Sequence, residues 1–289
     1  MKADTSTSVV AAREPAAAAG RFVQAGVLRL HYLDYGTENR PPMLCLHGGA
    51  AHGHWFDYVA ADLSADYHVR ALDQRGHGDS AWADPPAYAY EDYASDLSKV
   101  AEALDLRDFV LVGHSMGGMV SLVYAARHPG RVKRLIIVDT SINLGEERLS
   151  AMRERGLREG TSYASREELI SRFRLRPGST LATPEVVRHV AGHSARQFSD
   201  GTWRHKFDRN VYARREKLDG MPLWNDIKIP ALLVKGDCSG RITLQIYAEV
   251  KRRCPQAELS EIADSDHHVT LDNPAGFVLA VRDFLARHA

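Results

Sequence analysis

The run VLVGHSMGG at positions 110–118 constrains this chain more than any other stretch. An apolar segment suited to a buried strand enters a glycine-rich bend, and an apolar stretch suited to a helix follows. A sharp strand-to-helix turn lifts the residue at its apex, Ser115, out of a sheet and strains its backbone. Side chains two residues to either side would collide there, and both of those positions, 113 and 117, are glycine. The amides at the start of the following helix favour negative charge developing at the serine. Gly-x-Ser-x-Gly in this setting predicts a nucleophilic serine.

The rest of the chain supplies a frame for such a turn. RFVQAG and VLRLHYLDYG suggest a hairpin near the start. PMLCLHGG, HVRALDQRGHG, FVLVGHS, RLIIVDT, PALLVKGD and AELSEIAD suggest further strands, several apolar throughout, as strands buried on both faces of a parallel sheet must be. Helical spacing falls between them at 90–106, where Tyr93, Leu97, Val100, Ala101 and Leu104 share a face, at 116–130, and at 273–289, where Asn273 caps and Pro274 opens a helix. This alternation predicts an α/β fold with a mostly parallel sheet. From about Ser141 to Met221 the rhythm breaks into Arg- and Glu-rich helical segments without buried strands. The expected organisation is therefore a mobile tail at 1–20, a core formed by 21–140 and 222–289, and a helical insertion at 141–221.

Bulk numbers exclude some functions. Lys plus Arg equals Asp plus Glu at 37 each, so no basic surplus is present to neutralise nucleic-acid phosphates. No apolar run approaches the roughly 20 residues that span a bilayer. Three scattered cysteines without a CxxC point to reduced thiols and a cytoplasmic protein. The expected partner is a small-molecule substrate, with no nucleic acid and no membrane, and a homodimer is left open.

Two further stretches carry chemistry. In LCLHGGAAHGHW (44–55), glycines after a buried strand let backbone approach a substrate oxygen. The N–H groups of Gly49 and Met116 are the expected oxyanion donors. His47, His52 and His54 cluster there, but with no accompanying carboxylate cluster no metal is expected. His47 is expected to brace the loop, with His52 and His54 at the pocket mouth. In SDHHVTLDNP (265–274), His267 or His268 is the candidate general base.

LHGG, DQRGHGDS, GHSMGG and DHHVTLDNP, in this order, resemble the α/β-hydrolase superfamily from about Arg21 to the end of the chain. The resemblance implies a mostly parallel eight-stranded sheet flanked by helices, a helical cap at 141–221, and a cofactor-free serine hydrolase. Counting back seven residues from Pro274, as in relatives, selects His267. The acid is the irregular part. Relatives carry an aspartate in the loop that here reads KGDCSGRIT (235–243), and the corresponding places hold Ser239 and Gly240. Some members keep the acid at the end of the sixth strand, and Asp139 matches that position. The expected triad is Ser115, Asp139 and His267, with Asp237 as rival acid and Asp264 and Asp266 disfavoured. A carboxylic ester or lactone is the expected substrate. A carbon–carbon bond hydrolase of β-diketone-like ring-cleavage products, hydroxynitrile lyase or oxygenase chemistry, and a non-catalytic ligand-binding protein stay open. Trp203 in the cap and Trp224 just after it are the expected substrate-binding residues, with Phe207 and Tyr212 as further aromatic candidates. Arg204, Arg209 and Arg214 are either contacts to a substrate carboxylate or solvated surface.

Overall fold

The computed structural model describes residues 14–36 and 38–289. Ten strands appear among them: β1 (Ala19–Ala25), β2 (Leu28–Asp34), β3 (Pro42–Leu46), β4 (His68–Leu72), β5 (Phe109–His114), β6 (Val132–Val138), β7 (Ala195–Gln197), β8 (Trp203–His205), β9 (Ala231–Gly236) and β10 (Ala257–Ile262). Eight of them form one sheet in the order β1-β2-β4-β3-β5-β6-β9-β10. β1 pairs antiparallel with β2, and β2 with β4, while every pairing from β4 to β10 is parallel.

The helices are α1 (Asp57–Leu63), α2 (Tyr90–Ala103), α3 (Met116–Arg127), α4 (Glu146–Leu157), α5 (Arg166–Arg172), α6 (Pro184–His193), α7 (Asn210–Ala213), α8 (Leu244–Arg253), α9 (Val269–Asp272) and α10 (Pro274–Arg287). Strand alternation divides the core in two. Leu44, Leu46, Leu111 and Ile137 pack with α2 and α3 on one face, through Leu97, Val100, Val120 and Leu122. Cys45, Val110, Val112, Ile136 and Val138 pack with α1 and α10 on the other, through Val59, Leu63, Phe277 and Phe284. This two-sided burial is why β5 reads as uninterruptedly buried. Asn273 caps α10 as expected, its side chain accepting the Gly276 N–H at 2.9 Å.

Two sequence expectations need correction here. The tail expected at 1–20 lies outside the described residues up to 13, but its remainder is held. Ala16 donates its N–H to the Asp57 carbonyl at 2.9 Å, Ala16 and Ala18 pack against the α1–α10 layer, and β1 begins at Ala19. Residues 141–221, between β6 and β9, carry α4 to α7 as expected but also the β7–β8 hairpin. Its three-residue strands are too short to impose an alternating pattern.

The parallel strands β3, β5, β6, β9 and β10 all end on the same edge of the sheet. The chain leaves that edge at Gly48–Gly49, Ser115, Asp139, Ser239 and His267, and this convergence builds the site.

Candidate active site

Ser115 stands at the turn between β5 and α3 with φ 53° and ψ −112°, a conformation most L-residues avoid. The turn is held by the Ser115 N–H donating to the Val138 carbonyl at 2.9 Å and the Gly117 N–H donating to the His47 carbonyl at 3.1 Å. Its glycines are required by space. A Cβ at Gly113 would lie 2.4 Å from the Gly117 carbonyl oxygen and 2.4 Å from Ser121 Oγ, and one at Gly117 would lie 2.3 Å from the Leu46 carbonyl oxygen. Neither carbonyl belongs to a flexible side chain. Gly117→Ala must therefore displace the end of β3 or the turn itself, and is expected to destabilise the protein by about 1–3 kcal/mol. A denaturant midpoint unchanged from wild type would contradict the close approach.

The imidazole of His267 meets a carboxylate. Its Nδ1 lies 2.7 Å from Asp139 Oδ2, with both side chains buried. Asp139 reaches it from the end of β6, at φ 41°, with its own N–H donating to the Val234 carbonyl of β9 at 2.7 Å. Ser239, where relatives were expected to carry the acid, donates its hydroxyl to the same Oδ2 at 2.8 Å. Arg241 Nε is 3.4 Å from that oxygen. Burial raises the Asp139 carboxyl to about 7, opposed by the Ser239 hydrogen bond and the Arg241 charge. Burial also holds His267 well below its ordinary range, reinforced by His114 and Arg241, so the imidazole rests neutral.

The rival assignments separate on geometry. Asp237 is exposed and accepts the N–H groups of Ser265 at 3.0 Å and Asp264 at 3.2 Å, so it braces the loop ahead of His267 and does not face the ring. His268 Nε2–H donates to the Pro177 carbonyl at 3.0 Å. One positioning contact carried no signal in the sequence. His114 Nε2–H donates to the His267 carbonyl at 2.8 Å, and burial keeps His114 neutral, at about 3. The residue before the serine thus anchors the loop that carries the imidazole.

Ser115, His267, Gly49 and Met116 line one cavity. Neither the Gly49 nor the Met116 N–H has an acceptor among the described residues, whereas the amides of Ser115, Gly117, Gly118 and Met119 are all taken. His47 braces the Gly48–Gly49 loop: its Nδ1–H donates to the Gly48 carbonyl at 2.7 Å, and its Nε2 accepts the Gln74 N–H at 3.0 Å.

His52 and His54 do not stand at the mouth of the cavity. His52 Nε2–H points to the Val190 carbonyl and Ser194 Oγ, at 3.1 and 2.9 Å. His54 Nδ1 and His189 Nε2 both meet Asp57 Oδ2, at 2.8 and 2.6 Å, and His193 stacks on His54. These contacts fasten α6, in the 141–221 segment, to the start of α1. Asp57 is the carboxylate that the spacing of the histidines alone did not reveal.

The expected substrate-binding tryptophans also lie elsewhere. Trp224 is fully buried in the core beneath α3, and Trp203 sits on β8, its backbone paired with Tyr163. Neither lines the cavity, whereas Phe207 and Tyr212 do. Arg204 and Arg209 also line the larger part of the cavity, Arg204 while paired with Asp200 and Arg209 while donating to the carbonyls of Arg158 and Arg155, whereas Arg214 is exposed and lines neither part.

A serine on a strained turn, sharing a cavity with an imidazole held by a buried carboxylate at one edge of a mostly parallel sheet, defines a class of protein with the architecture and order of an α/β-hydrolase. The family model described as alpha/beta hydrolase fold matches residues 41–274, and the chain belongs to that family. It is 27% identical over 270 residues to a 2-(acetamidomethylene)succinate hydrolase of Mesorhizobium japonicum, covering 92% of this chain and 94% of that one. It is 29% identical over 279 residues to an esterase of Mycobacterium tuberculosis, covering 91% and 88%. The crystal structure of an E-2-(acetamidomethylene)succinate hydrolase superposes with a TM-score of 0.82 over 93% of this chain and 100% of that one, at 24% identity, a likeness of fold. The chain is thus an enzyme of the hydrolase class. Among the described residues no helix is long and apolar enough to cross a membrane.

Proposed function

We propose that the protein is a cofactor-free serine hydrolase that cleaves a small-molecule carboxylic ester through an acyl-enzyme. The observation that carries this reading is the Asp139–His267 hydrogen bond, with His267 lining the same cavity as Ser115. Asp139 accepts the Nδ1–H, which leaves Nε2 as the ring's free base. His267 takes the proton of Ser115 Oγ as that oxygen attacks the ester carbon. The Gly49 and Met116 amides receive the charge that moves to the carbonyl oxygen. The protonated imidazole then gives its proton to the departing alkoxide. Water attacks the acyl-enzyme by the same route, releasing the acid and restoring the serine hydroxyl.

The segment 141–221 acts in this reading as a cap. It supplies Arg148, Arg155 and Tyr212 to the cavity wall and so sets which esters enter. The names of the relatives support the ester reading, since one is an esterase and a third, 27% identical over 268 residues, is an sn-1-specific diacylglycerol lipase of Danio rerio. The direct test is a fluorophosphonate probe followed by peptide mapping. Covalent label on Ser115, with hydrolysis of 4-nitrophenyl esters, is expected; an unlabelled, inactive protein would leave only a ligand-binding role.

The pH profile follows from the acid. In this mechanism Asp139 must be a carboxylate to hold the imidazole, and its carboxyl is raised to about 7. Activity is therefore present above that pH and lost as pH falls through it, with the limb belonging to the Asp139–His267 pair. Arg241 lowers both partners. Arg241→Gln is expected to move the acid limb of kcat/KM, measured on a neutral ester, to higher pH. A limb that stays or moves down would remove Arg241 from the electrostatics of the pair.

A further inference from the structure

The cavity at Ser115 has two compartments that share Gly49, Ser115, Arg155, Arg176, Tyr212 and His267. The larger, of about 550 Å³, is walled in part by aromatic rings, among them Trp55, Trp82, Phe173 and Phe207, and six arginines line it together with the acidic residues Glu159 and Asp208. The smaller, of about 270 Å³, is also positive but differs in having no acidic group to offset its arginines. Five arginines line it, Arg148, Arg155, Arg176, Arg215 and Arg241, and no aspartate or glutamate does.

These arginines are poorly neutralised. Among the described residues, Arg241 is the one of the five that approaches a carboxylate, Asp139, whose oxygen it shares with His267 and Ser239. Arg148 has a hydroxyl contact to Ser141 at 3.3 Å. The side chains of Arg155 and Arg176 have no hydrogen-bond or ion-pair partner among the described residues. Arg215 is the most telling. It is 4% exposed, its Nη2 donates to Tyr90 Oη at 2.6 Å, and its Nε and Nη1 are buried without an acceptor among the described residues. A guanidinium buried with two unmet donors is costly unless something supplies the acceptors. A carboxylate matches the planar fork of an arginine and neutralises its charge. The remaining wall, Met116, Met119, Leu144 and Met152, suits a short aliphatic chain.

We infer that the smaller compartment is a carboxylate-binding subsite, and that the substrates are esters whose acyl chain ends in a carboxylate seated on Arg215 and the four arginines around it. This rests on the ester-hydrolase reading and specifies its substrate class. Arg215 holds the carboxylate from the buried side, and Arg148, Arg155 and Arg176 draw it in from the exposed side. The aromatic compartment receives the leaving group. The subsite also favours correct placement: a fixed carboxylate at the end of the chain sets how far the ester carbon reaches toward Ser115.

The test uses esters matched in length, the 4-nitrophenyl half-ester of adipate and 4-nitrophenyl hexanoate. The full-length protein is expected to favour the half-ester in kcat/KM by at least about tenfold, and Arg215→Met to lower that ratio about 10–100-fold, the range for losing a charge-assisted hydrogen bond. Because Arg215 is buried and supports Tyr90, Arg148→Met and Arg176→Met, at exposed positions, carry the same comparison should it not fold. A wild-type ratio at or below one, or a ratio unchanged in all three variants, overturns the subsite. A second measurement separates this inference from the reading beneath it: calorimetric titration of Ser115→Ala with the benzyl half-ester of adipate. Binding to Ser115→Ala that weakens when an arginine is also lost, while the wild-type protein hydrolyses neither ester, supports the subsite and sinks the esterase. Hydrolysis of the hexanoate without preference, and without half-ester binding, does the reverse.

Discussion

Ser115→Ala is expected to lower turnover of a reactive ester by about 10⁵–10⁶-fold, the scale on which removal of the nucleophile alone disables a serine triad, and to abolish fluorophosphonate labelling. The fold should survive. Alanine keeps the Cβ and the backbone N–H that donates to Val138, so the thermal midpoint should stay close to wild type. The oxyanion donors are backbone groups and remain, so the residual rate reports what binding and the Gly49 and Met116 amides achieve without a nucleophile. A variant within tenfold of wild type would place the attacking group elsewhere in the cavity.

The second large effect tests the displaced acid. Asp139→Asn is expected to lower kcat by about 10²–10⁴-fold with little change in stability. An amide at this position can turn its NH₂ toward Nδ1, which then becomes an acceptor and leaves the proton on Nε2, where the serine proton must go. Asp237→Asn should lower kcat by less than about tenfold, because Asp237 braces backbone amides and not the ring. A further variant sharpens the comparison. Ser239 Oγ already lies 2.8 Å from the oxygen that His267 uses. Adding Ser239→Asp to Asp139→Asn returns a carboxylate to the loop after β9, and about tenfold or more of the lost rate should come back. The opposite ranking, with Asp237 dominant and Asp139 dispensable, would overturn the assignment.

Legibility in the sequence followed how local the physics was. Strands buried on both faces announced themselves as apolar runs, and the turn at Ser115 announced itself through its glycines, because both constraints act between near neighbours. Asp139 was traceable only through a vacancy, the serine and glycine at 239 and 240. That Ser239 donates to Asp139 was not legible, since the pair is 100 residues apart in sequence. His114 occupies a position of the motif that tolerates many residues, and nothing local signals that its ring reaches the carbonyl of His267. The insertion was the least legible part. Of the aromatic residues expected at the pocket, Phe207 and Tyr212 line it, yet Trp203 joined the hairpin and Trp224, just beyond the insertion, the main core. Of the arginines singled out, Arg204 and Arg209 line the cavity and Arg214 does not, while Arg215, one position further, is the buried one. Helical or loop patterning in so charged a stretch does not distinguish a guanidinium that faces water from one that faces a cavity.

Asp139 is also the penultimate residue before the chain departs for the 141–221 segment. Thr140, between them, folds its hydroxyl back onto the Val138 carbonyl at 3.0 Å. Lid-swapped chimeras of this scaffold therefore carry their upstream seam almost on top of the acid. A splice placed after Thr140 keeps the carboxylate in register with β9, whereas one placed a few residues earlier trades the lid and the acid together, so that a change meant to alter selectivity would register as a dead enzyme.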